Sequence, residues 1–402
     1  MSTKNNKKVQ TTEPALKTPL LRLLLKYFGN LSVQLYLVKW GQRSMVNFVW
    51  NIVLVGSFIF EMSTRQGKYY RGRSEKLDSK EIFLKKPLYR VLISTIMRNV
   101  FPVCYFVRTL YFIAISLRKD SSTSLIHLLD QLSTNDDDSN GGKKQPNRTS
   151  NKALCIFVAV VLIQHLLFLL TIFRLLAHLA RLFSPFGSFM QYVTLLTLHQ
   201  NANIVYLLVI YCKFATLRSL KAIIRRFKES GNIAALQLEI GRLATLNSRL
   251  HHLVSFPYIF SLVPYIIQAL IAFTCIVMDQ PRDTDAFAIN FLVYTVLVVS
   301  LGSAIERQLT EVHHLIWEHL KGRQQHLRRL FRYSNQSSFS TASLTSDKRQ
   351  QCLKWVELVP LYKKSFQLKI HNFFTVNWRF VFLLGVFLCN LVVLISQTSA
   401  IN

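Results

Sequence analysis

Apolar residues along this chain are bunched into long runs that carry few or no charges, and the runs are separated by stretches crowded with Lys, Arg, Ser and Thr. Windows of about 19 residues that are apolar and nearly uncharged read as transmembrane helices. Seven such windows occur, at 45–61, 91–117, 153–173, 189–212, 252–277, 285–303 and 376–398. The last is the clearest, because Phe380 to Asn402 contains no charged residue and exceeds the roughly 20 residues that cross a bilayer. The pattern predicts an all-α, polytopic seven-transmembrane helical bundle.

Between the spans the period changes. Phe214, Leu217, Leu220, Ile224 and Phe227 recur at three- and four-residue steps among Arg218, Lys221, Arg225, Arg226 and Lys228. The same stripe returns at Ile305, Leu309, Val312, Ile316 and Leu320, and again at Trp355, Leu358, Tyr362 and Phe366. Stripes of this kind mark helices that pack on other helices, so the spans are expected to project below the membrane and bundle there. A basic amphipathic helix lying on anionic lipid fits the same pattern. Residues 120–152, with Asp136-Asp137-Asp138 and Gly141-Gly142, read as a disordered insertion, and 333–350 as a flexible linker.

Composition changes the picture in one respect. The 402 residues hold 49 Lys+Arg against 20 Asp+Glu, a net charge of +29, and half are hydrophobic. That surplus would suit nucleic acid or an acidic partner in a soluble protein. Here it reports orientation. The segments 1–44, 118–152, 213–251 and 304–375 hold 34 Lys+Arg, whereas 62–90, 174–188, 278–284 and the last residues hold 12. Positive loops stay in the cytosol, so the N-terminus is expected inside and the C-terminus outside, the reverse of a G-protein-coupled receptor. The loop 62–90 dissents, with nine basic residues on the outer side. The organisation is a cytosolic segment 1–44, spans one to six over 45–303 with a cytosolic helix at 213–250, a cytosolic helical loop 304–375, and the terminal span with a short outer end at 376–402. The first 44 residues lack an early apolar core ending in a small-residue cleavage site, so the first span is expected to serve as its own insertion signal.

Cys104, Cys155, Cys212, Cys275 and Cys389 fall inside spans and Cys352 in a cytosolic loop, which leaves no pair for an outer disulfide. Sequons begin at Asn30, Asn147 and Asn335, all on the cytosolic side of this topology. Glycosidase treatment is therefore expected to leave the protein's mass unchanged, and a shift traced to any of the three would reverse the orientation.

Candidate chemistry is sparse. There is no G-x-S-x-G, P-loop, dinucleotide fingerprint or zinc set, so neither an enzyme nor a cofactor is expected. Glu311, His313, His314, Glu318 and His319 cluster on one helical stretch but lack a second ligand pair, which favours a solvated face over a metal site. Within the spans, Arg98 and Arg108 are costly at membrane depth and should face the bundle interior, a cavity or a partner. Arg108 is also placed to snorkel toward the cytosol; Arg98 would pair with Glu61 or Asp279, or meet a ligand. Pro102, Pro257 and Pro264 mark positions where cavities could open. Gln164, His165, Gln191, Tyr192, Tyr265, Gln268 and Tyr294 give the spans polar and aromatic groups suited to a small organic ligand, and each also fits the ordinary aromatic belt. The spans lack the carboxylates that ion-coupled transport would use.

The terminal span reads Phe374-Thr-Val-Asn377-Trp-Arg379-Phe, then Val-Phe-Leu-Leu-Gly385-Val-Phe-Leu-Cys-Asn390-Leu-Val-Val-Leu394-Ile-Ser-Gln397-Thr398. It resembles the last span of the insect gustatory receptor family, whose signature is Thr-Tyr, five mostly apolar residues, then Gln-Phe. Aligned on Gln397, Asn390 and Leu391 occupy the Thr-Tyr positions and Thr398 the Phe position. The layout is similar too, with seven spans, a cytosolic N-terminus and long helical inner loops. The resemblance implies a ligand-gated, poorly selective cation channel in the plasma membrane of a sensory neuron, a homo- or hetero-tetramer with the seventh span of each subunit around the pore. It places the gate at Leu394, Gln397 and Thr398, which share one helix face. A Leu ring would close by dewetting and neutral Gln and Thr oxygens would select weakly; the same stripe could instead face lipid. Family members that detect sugars carry Glu after the Thr-Tyr pair, where this chain has Val392, so the resemblance implies a non-sugar tastant such as a bitter compound. An odorant-receptor-type channel, and a seven-span receptor signalling through a cytosolic partner, are the alternatives.

Overall fold

The computed structural model describes residues 185–277, 285–333, 361–370 and 374–400, with isolated positions between 100 and 132, at Leu166 and at Leu358. Apart from those positions, the spans expected at 45–61, 91–117 and 153–173 lie outside the described residues, as do the insertion 120–152, the linker beyond Tyr333 and the three sequon asparagines. The described chain is all-α apart from one short β pairing. Its elements are α1 (Pro185–Ser230), α2 (Ile233–Val277), α3 (Asp285–Tyr333), β1 (Lys369–Ile370), β2 (Phe374–Thr375) and α4 (Trp378–Ala400).

The first three helices run 46, 45 and 49 residues. At 1.5 Å per residue each is roughly 70 Å long, about twice the ~30 Å hydrocarbon core of a bilayer. Ile233–Ile267 and Leu292–His319 are long and apolar enough to cross a membrane, and Trp378–Leu394 is a shorter apolar stretch.

The amphipathic stripes are the surfaces on which these helices meet. Leu220, Ile224 and Phe227 of α1 and Ile305, Leu309, Val312 and Ile316 of α3 are buried with Leu236, Ile240, Leu243 and Leu250 of α2 in one continuous core. Charged residues between the stripes tie the rims together, Arg226 to Glu239 at 3.0 Å and Lys228 to Glu311 at 2.8 Å.

The stretch expected as one helix over 213–250 is divided. Gly231 ends α1 with a φ of 61° and donates its N–H to the Phe227 carbonyl. Asn232 then opens α2, its side-chain oxygen accepting from the Ala235 N–H at 3.2 Å. A left-handed glycine stop followed by an Asn N-cap turns the chain within two residues. A Cβ at Gly231 would also sit 3.3 Å from His319 Cε1. Gly231→Ala is therefore expected to cost about 1 kcal/mol, read as a lowered thermal midpoint of the solubilised protein.

Helix α2 runs unbroken through Pro257 and Pro264. Proline at 257 removes the N–H that would bond the carbonyl four residues earlier. That carbonyl, Leu253 O, accepts instead from the Tyr111 hydroxyl at 3.2 Å, and the Tyr111 ring stacks on Phe256 with centroids 4.4 Å apart.

A hairpin leads into α4. Residues 361–366 are helical, and Phe366, Leu368 and Ile370 then point inward at alternate positions. Strands β1 and β2 pair antiparallel, Lys369 opposite Thr375 and Ile370 opposite Phe374, and the Val376 N–H closes the unit on the Leu368 carbonyl. Asn377 caps α4 through its side-chain oxygen to the Phe380 N–H at 3.0 Å.

Candidate ligand site and the terminal helix

Two features stand out in the described helices. The first is a cluster of tyrosines where α1, α2 and α3 meet. Tyr206 stands at its centre, with Tyr258 at 5.0 Å, Tyr265 at 5.5 Å edge-on and Tyr294 at 5.3 Å stacked, measured between ring centroids. All four are buried. Tyr258 and Tyr265 are seven residues apart on α2 and so share a face. The hydroxyls of Tyr206 and Tyr258, and of Thr295 beside Tyr294, have no hydrogen-bond partner among the described residues. Burying a hydroxyl unpaired costs about 1–3 kcal/mol, so each of these groups calls for a partner or a functional reason.

Arg108 approaches the bundle at α2. Its side chain is 0% exposed, so it does not snorkel to the membrane surface. The guanidinium donates to Ser261 Oγ at 3.0 Å, and that hydroxyl donates in turn to the Pro257 carbonyl at 2.9 Å. Each oxygen in the chain accepts from the group before it, so the buried charge is held by oriented dipoles, which strengthen one another in a low-dielectric interior.

Tyr265 and Tyr294, singled out from sequence, are thus brought together, around the unanticipated Tyr206 and Tyr258. Arg98, Gln164 and His165 lie outside the described residues. Gln191 and Tyr192 sit on α1 and Gln268 on α2, with side chains outside the described set. His314 and Glu318 meet at 3.5 Å on an exposed face of α3, while Glu311 turns away to Lys228 and accepts a hydrogen bond from Gln308.

The second feature is the two-sidedness of α4. Phe380, Val381, Leu384 and Leu388 pack on the core, where α4 lies against α2. Leu383, Phe387, Asn390, Leu394 and Gln397 recur at four- and three-residue steps on an exposed stripe, with Leu394 56% exposed. Val392, the residue after the Asn390-Leu391 pair, is buried. Thr398 belongs to α4 but its side chain is outside the described set.

No protein-family model matches the chain, and no characterised protein matches it in sequence.

Proposed function

We propose that the chain is a ligand-gated, weakly selective cation channel of the gustatory receptor type, detecting small non-sugar organic molecules at the plasma membrane. In this proposal seven spans place the N-terminus in the cytosol and the C-terminus outside, and four subunits surround a pore lined by α4. The observation that carries it is the arrangement of α4. A helix this apolar packs on the core along one side and presents a second, exposed stripe along the other, on which Leu394 is 56% exposed. Pore walls in an assembly have that geometry. The two candidate membrane helices and the resemblance of the terminal span support the same reading.

The tyrosine cluster supplies the ligand end. A molecule with an aromatic or aliphatic body and one or two hydrogen-bonding groups would lie among four rings and satisfy the hydroxyls of Tyr206 and Tyr258. Because these rings belong to three different helices, a ligand that separates them would bias the bundle toward the arrangement it binds better. The channel is tested by calcium imaging with a tastant panel in cells lacking G-protein signalling. Ligand-evoked entry is the expected result, and its absence across the panel with normal surface expression would discard the proposal. Epitope accessibility at both termini checks the orientation independently.

A further inference from the structure

Below the tyrosines, two turns along the same face of α1, lies a buried cation. Lys213 is enclosed by the bundle and its Nζ donates to the main-chain carbonyl of Phe366, 153 residues away in sequence. The neighbouring carbonyl, Ser365 O, accepts from Asn247 Nδ2 at 2.9 Å. These are the last carbonyls of the helical turn 361–366, which has no backbone donors left to offer them. Asn247 also accepts from Thr216 at 3.2 Å and lies 3.3 Å from His251 Nδ1. Gln367, next along the segment, donates to Glu306 of α3 at 2.9 Å. One polar cluster, with members on α1, α2 and α3, therefore grips the segment that feeds β1, β2 and α4.

We propose that Lys213 and the polar groups around it form a proton-operated latch that fastens the 361–370 segment, and through it α4, to the bundle of α1, α2 and α3. Lys213 sits one residue past the span expected at 189–212, on the cytosolic side of the proposed topology. The groups facing it are Cys212 on its own helix, His251 on α2 and Glu306 on α3; Lys363, Lys364 and Lys369 of the segment are not buried. Glu306 reaches Lys213 only as a through-space charge. Burial lowers the Lys213 ammonium from its usual range to about 7, with Cys212 and Glu306 opposing.

The sign follows by linkage. The opened segment exposes Lys213 to water, where it holds its proton up to its ordinary value, so between about 7 and 10.5 the open form binds the extra proton. Lowering pH through that window favours opening, by up to tenfold per pH unit, and below about 7 the effect levels off. The latch is tight in alkaline cytosol and loosens as pH falls toward neutrality. The proton is taken from water as the segment lifts and is returned when it seats.

The test is hydrogen exchange of the purified full-length protein in lipid nanodiscs, following amides of 366–376 between pH 7 and 8.5. Protection, corrected for intrinsic exchange, is expected to rise about fivefold from pH 7 to 8 in the wild type. It should be flat across pH in Lys213→Met, which has no proton to exchange, and low at every pH in Lys213→Arg, whose guanidinium stays charged. A pH slope that survives Lys213→Met, or one abolished by His251→Gln alone, overturns the proposal. So does a flat wild-type profile, a result that needs no variant to fold. The effect on gating rests on α4 lining a pore, whereas the latch does not. A pH-dependent segment in a protein that passes no current would discard the channel and keep the latch. Ligand-evoked current with pH-independent protection would do the reverse.

Discussion

Leu394→Ala is expected to raise ligand-free current by at least tenfold, recorded in whole cells and normalised to surface expression. In the proposed tetramer four Leu394 side chains form one ring, and a narrow apolar ring expels water and with it ions. Truncation to alanine removes three carbons per subunit, which at about 0.8 kcal/mol per buried CH2 weakens the closed ring by roughly 2 kcal/mol for each chain. Only about 1.4 kcal/mol over the whole assembly is needed for a tenfold change in the open-to-closed ratio. One helical turn further out, Gln397→Ala should change single-channel conductance or rectification without opening the gate, and Gln397→Glu should strengthen cation selectivity by adding four carboxylates. If Leu394 instead faces lipid, both positions tolerate substitution and currents stay at wild-type levels. That outcome would remove α4 from the pore.

The core of the described bundle was legible in the sequence because an amphipathic stripe has one physical meaning wherever it is packed. Leu220, Ile224, Phe227, Ile305, Leu309, Val312 and Ile316 were identifiable by spacing and are all buried. The limits expected for the terminal helix, 376–398, fall within two residues of α4 at each end, since a long uncharged apolar run after Arg379 leaves little freedom. The division at Gly231 was not found, although a glycine followed by asparagine is a stop and a cap in sequence order. The apolar stripe continues on both sides of it, so periodicity alone carries no sign of a break. The β1–β2 hairpin escaped for the opposite reason, as two-residue strands are too short to show any period.

What the sequence hid most completely are partnerships between distant polar groups. Lys213 counted as one more positive charge at the cytosolic end of a span, yet its partner is a backbone carbonyl 153 residues away. Tyr111 answers a carbonyl freed by Pro257, 142 residues away as counted to Leu253. Weighed singly, Tyr265 and Tyr294 were indistinguishable from belt residues, because only the convergence of three helices on Tyr206 sets them apart.

That convergence sets the second large effect. Tyr206→Ala is expected to destabilise the protein by about 3–5 kcal/mol, the usual cost of emptying a buried aromatic site, and to abolish surface expression. Tyr206→Phe should do the opposite to stability. The ring contacts to Tyr258, Tyr265 and Tyr294 remain, while a buried hydroxyl without a partner among the described residues is removed, a gain of about 1 kcal/mol visible as a higher unfolding temperature. If the hydroxyl is kept for a ligand, the more stable variant will be the poorer receptor. Its half-maximal ligand concentration should rise by about tenfold, the loss of one hydrogen bond worth ~1.4 kcal/mol, with maximal current unchanged. Tyr258→Phe should behave alike, and the double variant should lose less than the sum if one ligand group serves both hydroxyls. A more stable Tyr206→Phe protein with an unshifted dose response would mean that the cluster is packing alone, and that the ligand binds elsewhere in the bundle.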